Sequence, residues 1–369
     1  MSAALTARVL MAFLFGRLAC LLGLAHRGRA GLPGAVRGYD GGWYRRIVEH
    51  GYPQTLAVDQ HGLLRRNPIA FFPVFPQLVR PFTQAGAPYW AAALAVNTVA
   101  GAVAAVLIAA VARRHTGSDQ AGLLAAALWS VLPASFVLSM AYSEAVFVAL
   151  AAGCLLALAN DRWLVAGLLA AVASATRPTG VALVLACGVG AVAAVAHWPP
   201  GIRARLMPFL APLLAPLGIV AYFGYLWHRY HRPDAWFAVE REGWHAGANG
   251  GAVIFGKMGR ALLGDAPKPS WVYVAVVIMT ALALLVWAVW DRLPAAQLAF
   301  CAAVIALTLT SGVYSSVPRM LLPAFPLLTP LAARLARLPW PVGAIVWTAA
   351  LPGLTYASFA LLGNLSFAP

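Results

Sequence analysis

The chain has 369 residues, of which 62% are hydrophobic and only 10% charged, with a formal net charge of +15. Soluble domains carry about 25% charged and about 45–50% apolar residues, so the composition excludes an ordinary soluble enzyme and predicts a polytopic membrane protein. Nucleic-acid binding is excluded too, because no soluble basic domain is present to carry it.

The positive charge is nearly all arginine, 24 Arg against 2 Lys. That bias points to a GC-rich bacterial genome. Cys20, Cys154, Cys187 and Cys301 all fall inside apolar segments and read as small core residues, not as disulfides or metal ligands.

Apolar runs predict one all-α membrane domain over residues 1–369, with about eleven spans. They lie near 5–25, 88–112, 119–138, 142–159, 163–176, 178–197, 206–227, 271–290, 295–313, 319–333 and 341–362. Several are shorter than the ~20 residues of a full crossing, which predicts tilt or partial burial. Arg17 interrupts the first run and no small-x-small cleavage site follows, so 5–25 reads as an uncleaved first helix. Two long loops remain, 26–87 and 228–270. No inverted repeat, heptad run or low-complexity tract is present, and Gly101 with its small neighbours predicts close helix packing.

With the N-terminus in the cytoplasm, Arg113-Arg114, Arg162, Arg203/Arg205, Arg292 and Arg334/Arg337 all face inward. That is the positive-inside pattern. The same topology puts Asp40, Glu144, Arg177, Glu240, Arg241 and Arg319 at or near the outer face. Ionisable groups at membrane depth are costly and usually functional.

The first loop opens with Tyr39-Asp40-Gly41-Gly42-Trp43-Tyr44-Arg45-Arg46. The two glycines permit a sharp turn and close substrate approach. Tyr39 and Trp43 offer flat faces for a sugar ring, and a carboxylate such as Asp40 can act as a general base. An Asx-turn or helix cap explains Asp40 equally well. If 42–50 is helical, Glu49 neighbours Arg45 and Arg46, either as a surface ion pair or in support of Asp40, with His50 beside it. The run from Asn67 to Pro76, with Phe72 at its centre, suits an interfacial stretch packed on a lipid tail or an aromatic belt.

Tyr142-Ser143-Glu144 begins a span, where a glutamate complements the helix dipole or else orients arginines. Thr176-Arg177-Pro178-Thr179-Gly180 and Ser315-Ser316-Val317-Pro318-Arg319 each place an arginine at a break between spans. One such arginine reads as a snorkelling anchor, whereas two on one side favour an anionic ligand such as phosphate. Glu240-Arg241-Glu242-Gly243-Trp244-His245 reads as an amphipathic surface helix or a substrate contact. No nucleotide-binding glycine loop, zinc spacing or nucleophile elbow occurs. No cofactor is therefore expected, and a divalent metal is left open.

Taken together, Tyr39 to Tyr52, Ala70-Phe71-Phe72-Pro73 to Arg80, Tyr142 to Phe147, Thr176 to Gly180 and Pro318-Arg319 to Pro326 resemble the ordered signatures of the PIG-V-like mannosyltransferases, a family of the GT-C glycosyltransferases. Arg241-Glu242-Gly243-Trp244 is a weaker match, and Tyr39 stands where the family more often has Trp. The resemblance implies a GT-C bundle and a polyprenyl-phosphate-linked mannose donor. It also implies inverting transfer on the non-cytoplasmic face, with Asp40 in the family's catalytic acidic position. For a bacterial chain that face is the outer side of the plasma membrane; for a eukaryotic one it is the lumenal side of the ER.

The expected partners are a lipid-linked sugar, an acceptor that is a sugar, lipid or protein, and the bilayer. Arg177 and Arg319 would hold the donor phosphate, with Arg45, Arg46 and Arg241 as further candidates. Tyr39, Trp43, Glu49, His50, Phe72, Glu144 and Trp244 would support substrate. A lipid flippase is the alternative, although mid-span residues are mostly Ala, Val, Leu and Gly and trace no polar path. A lipid phosphatase lacks the Ser-Gly-His partner it would need beside Arg177-Pro178.

Overall fold

A computed structural model describes residues 1–27, 31–197, 206–246, 250–265 and 268–363. Arg203 and Arg205 lie outside the described residues. The long helices are α1 (Ala3–Arg27), α5 (Tyr89–Thr116), α9 (Val181–His197), α12 (Pro269–Trp290) and α15 (Trp340–Gly363), and α10 (Leu217–Tyr230) closes a longer helical stretch that starts at Met207. Shorter apolar helices complete the bundle: α6 (Asp119–Val131), α7 (Glu144–Leu158), α8 (Trp163–Ser174), α13 (Ala295–Thr310) and α14 (Leu328–Leu335). The first long loop folds into α2 (Gly31–Val36), α3 (Asp40–His50) and α4 (Val74–Gln84), and the second carries α11 (Ala252–Leu262). Among the described residues the only β pairing is the isolated bridge of Val58 with Leu64.

Among the described residues five helical stretches are long and apolar enough to cross a membrane, or six if a bent pair counts as one. The expectation was about eleven spans, several of them shorter than a full crossing. Most apolar segments are present as helices, but α7, α8 and α13 have 15, 12 and 16 residues, short of the ~20 of a straight crossing, and the expected span 319–333 is broken, with a regular α-helix only over Leu328–Leu335. The expected span 119–138 is the bent pair. It turns by 78° between α6 and the 3₁₀ turn Pro133–Ser139, because Pro133 removes a backbone donor and forces the preceding residue out of the α region.

The carbonyls freed at this break are taken up by Arg17. Its guanidinium, buried within α1, donates to the carbonyl oxygens of Ser130 and Ser135 and to the Ser135 hydroxyl. The interruption of the first apolar run therefore fills the bend in its neighbour. Elsewhere the main core is a mass of small residues. A Cβ on Gly101 would lie 2.5 Å from Cζ of Phe13, so α1 and α5 approach as closely as only glycine permits.

Helix direction sorts the connections onto two ends. α5 is 28 residues long, about 42 Å. It runs from Tyr89, whose hydroxyl donates to the Gly41 carbonyl, to Arg113 and Arg114 at the other end. The Arg114 guanidinium there reaches the Ala159 carbonyl at the end of α7. Arg334 pairs with Asp291 across two further connections of this basic end. The opposite end carries the two long loops.

Candidate active site

Asp40 is the first residue of α3, where a carboxylate complements the helix dipole. Three contacts fix this turn on the segment before α7. Ala141 N–H donates to the Val36 carbonyl at 2.9 Å, Asp40 N–H to the Tyr142 hydroxyl at 3.4 Å, and Tyr44 hydroxyl to the Ser143 hydroxyl at 2.9 Å. Gly41 is needed at this junction, since a Cβ there would sit 3.0 Å from the Val36 carbonyl oxygen and 3.2 Å from Cβ of Ala141. Tyr39 adopts φ 51°, a region disfavoured for any side chain larger than glycine. The buried Asn97 amide of α5 donates to the carbonyls of Met140 and Tyr142, which holds the entry to α7 from behind.

The arginines arrive from two chain breaks. Arg177 is extended (φ −158°, ψ 154°), as the residue before a proline prefers. The chain turns there against Ser174, where a Cβ on Gly180 would come within 2.3 Å of Cα of Ser174. Arg319 lies on the short helical turn Val317–Met320, with Pro318 at its start.

The four charges form one chain. Arg319 Nη1 donates to Asp40 Oδ2 at 2.7 Å and lies 3.5 Å from Glu144 Oε1. Arg177 Nη1 pairs with the same Glu144 oxygen at 2.6 Å and also donates to the Ser143 hydroxyl at 3.3 Å. The Arg319 guanidinium lies over the Tyr142 ring, 5.1 Å from its centroid. Side-chain exposure is 0% for Glu144, 13% for each arginine and 19% for Asp40. Arg177 Nε, Arg319 Nε and Glu144 Oε2 are buried without a hydrogen-bond partner among the described residues. The network balances two carboxylates with two guanidiniums, as buried charges require.

Beside it lies an aromatic platform. Trp43, one helical turn after Asp40, meets the Trp244 ring at 5.2 Å and the Phe71 ring at 6.3 Å. Arg46 covers the Trp43 ring at 4.5 Å, and Arg66 covers the Trp244 ring at 5.1 Å. The second loop is docked on the first. Glu242 accepts from Leu64 N–H at 3.0 Å, and a Cβ on Gly243 would lie 2.8 Å from the Arg65 backbone.

Several sequence candidates sit outside this cluster. Arg45 pairs with Glu49 at 2.6 Å on the exposed side of α3, one turn apart, so the surface ion pair is the arrangement seen. His50 is 77% exposed and 3.9 Å from Glu49. Arg241 is exposed and bonded to Glu242 at 3.0 Å. Phe72 is buried in a separate aromatic core against Tyr222, Phe223 and Trp236. Arg80 donates to the Val48 carbonyl and anchors α3. The segment 239–243 is a π turn, not an amphipathic helix.

One of the six outer-face ionisable groups had been given no role of its own. Glu240, on that π turn, makes no side-chain hydrogen bond or ion pair among the described residues. Burial, helped by the nearby charge of Asp40, pushes its carboxyl up to about 8. The sequence signal was present: an acidic residue directly follows the apolar run Ala235–Val239 in an otherwise polar loop.

No family model and no curated protein matches this chain. Solved structures do. ArnT from Cupriavidus metallidurans bound to undecaprenyl phosphate is similar at a TM-score of 0.57 and 16% identity, over 94% of this chain and 63% of that one. Its apo state gives 0.56 and 17% over the same shares. The apo oligosaccharyltransferase of Archaeoglobus fulgidus gives 0.50 and 13%, over 96% of this chain and 55% of that one. The chain thus spans less than two thirds of the length of these proteins. At such identities the likeness is one of fold, an all-helical bundle of the GT-C type.

Proposed function

We propose that this integral membrane protein is a GT-C glycosyltransferase that moves mannose from a polyprenyl-phosphate carrier to an acceptor hydroxyl, with inversion. The reaction takes place on the extracytoplasmic face, in a PIG-V-like manner. The observation that carries the reading is the Asp40–Arg319–Glu144–Arg177 chain, drawn from four distant stretches to the looped end of the bundle. A structural anchor needs one arginine at an interface, not two buried ones sharing a carboxylate. The fold shared with ArnT, whose structure holds undecaprenyl phosphate, supports a lipid-phosphate carrier.

The chemistry follows from placement. Arg177 and Arg319 each keep a buried Nε–H without a partner among the described residues, so each retains a donor for a phosphate oxygen. Guanidiniums there stabilise the charge that develops on the departing phosphate. Asp40 takes the proton of the acceptor hydroxyl as that oxygen attacks the anomeric carbon. Trp43 and Trp244 give flat faces for a sugar, rimmed by Arg46 and Arg66. Glu144 holds both phosphate-binding guanidiniums in place.

The test is transfer by the purified protein in proteoliposomes, supplied with labelled polyprenyl-phosphate mannose and a cell-envelope lipid extract. Label in a new covalent product supports the reading. Label that crosses the bilayer still attached to its carrier would replace it with the flippase reading. Arg319→Ala is expected to weaken donor binding more than acceptor binding. Equal donor affinity by isothermal titration would reduce Arg319 to an anchor.

A further inference from the structure

We propose that Arg319 is shared between Asp40 and the donor phosphate, so that donor binding itself frees Asp40 to act as the base. The proposal rests on the glycosyltransferase reading above and adds an order of events to it.

Two carboxylates and two guanidiniums already cancel within the buried network. A lipid phosphodiester brings one more negative charge, and an uncompensated charge at a buried site is expensive. One carboxylate must therefore yield its cation. Glu144 is the wrong candidate: it is fully buried and one of its oxygens faces both arginines. Asp40 is the least committed, being 19% exposed and joined to the network through a single nitrogen of Arg319. A phosphate offers that guanidinium two oxygens in a geometry that matches its fork. The Tyr142 ring beneath the guanidinium and Glu144 beside it keep Arg319 in place while its partner changes.

The exchange changes what Asp40 can do. Paired with Arg319, its Oδ2 is occupied by a guanidinium N–H. With the cation turned to phosphate, that oxygen is open to the hydroxyl of an acceptor. The acceptor proton then passes to Asp40, and the acceptor oxygen bonds to the anomeric carbon. The bond from that carbon to the phosphate oxygen breaks, and its electron pair leaves with the lipid phosphate. When the lipid phosphate departs, Arg319 returns to Asp40 and the proton passes to water. The cycle closes with no other reactant, and the oxygen that takes the proton is free only while a donor is bound.

The experiment is a double-mutant cycle on lipid-phosphate binding in nanodiscs, with a short-chain polyprenyl phosphate as probe. Wild type, Asp40→Asn, Arg319→Ala and the double variant are compared, with Arg319→Gln in place of Arg319→Ala should the truncated form not be recovered folded. Asp40→Asn removes the competitor and should bind about tenfold tighter, a coupling typical of groups sharing one partner. That gain should vanish when Arg319 is absent. Equal affinity of wild type and Asp40→Asn, or a gain that persists without Arg319, would overturn the exchange while leaving the lipid-phosphate carrier intact. No binding by the wild type would overturn the carrier reading and the exchange together.

Discussion

The two ends of this bundle use the same residue types to opposite effect. At the basic end Arg113 pairs with Asp119 and Arg334 with Asp291, and the arginines are 45% and 53% exposed. At the looped end Arg177 and Arg319 are 13% exposed and share a glutamate that is wholly buried. Exposed pairs gain little, because water and salt screen them. Buried pairs carry a desolvation penalty that matched partners only repay. Two arginines and two carboxylates largely withdrawn from water at one end, where apolar residues would be cheaper, are what the proposed chemistry needs.

The contrast is sharpened first at Glu144. Glu144→Ala leaves two buried guanidiniums short of a partner, and breaking a buried pair costs about 3–5 kcal/mol. A large fall in the thermal unfolding midpoint of the detergent-solubilised protein is expected, and no change would show the pairs to be solvated. Glu240 comes next. Its carboxyl is raised from an ordinary 4.5 to about 8, so the folded state holds a proton that the unfolded state gives up. Its contribution to stability is complete below 4.5 and is lost as the pH climbs toward 8. Glu240→Gln should flatten that slope in a pH series of unfolding midpoints. An unaltered slope would show Glu240 to be ionised in the fold. The smallest effect belongs to the basic end, where Arg113→Ala should shift stability by no more than about 1 kcal/mol. A shift as large as that of Glu144→Ala would erase the distinction between the two ends.

Much of this was legible beforehand, for identifiable reasons. Hydropathy marks apolar segments whatever their packing, so the helical bundle is readable from composition. Asp40, Arg177 and Arg319 stand out because each sits at a chain break beside glycine or proline, where a charge at membrane depth is least expected. The pairing was not legible. Arg319 meets Asp40 across 279 residues of sequence, and nothing local distinguishes that arginine from a snorkelling anchor. Glu144 had two readings, dipole partner and arginine holder, and the structure gives it both positions at once. Span lengths were overestimated where Pro133 bends α6 away, since hydropathy windows run smoothly through a break. Glu240 was given no role of its own because its loop is polar on average, and the pattern of a loop does not show which of its charges the fold withdraws from water.

The most direct test is single-turnover sugar transfer from labelled polyprenyl-phosphate mannose by purified wild type and Asp40→Asn, at matched folding and donor occupancy. Removal of the base should slow transfer by about 10²–10⁴-fold, the usual share of general-base catalysis, with donor still bound. Transfer by Asp40→Asn at the wild-type rate would contradict the account, and the buried charges would then need another purpose.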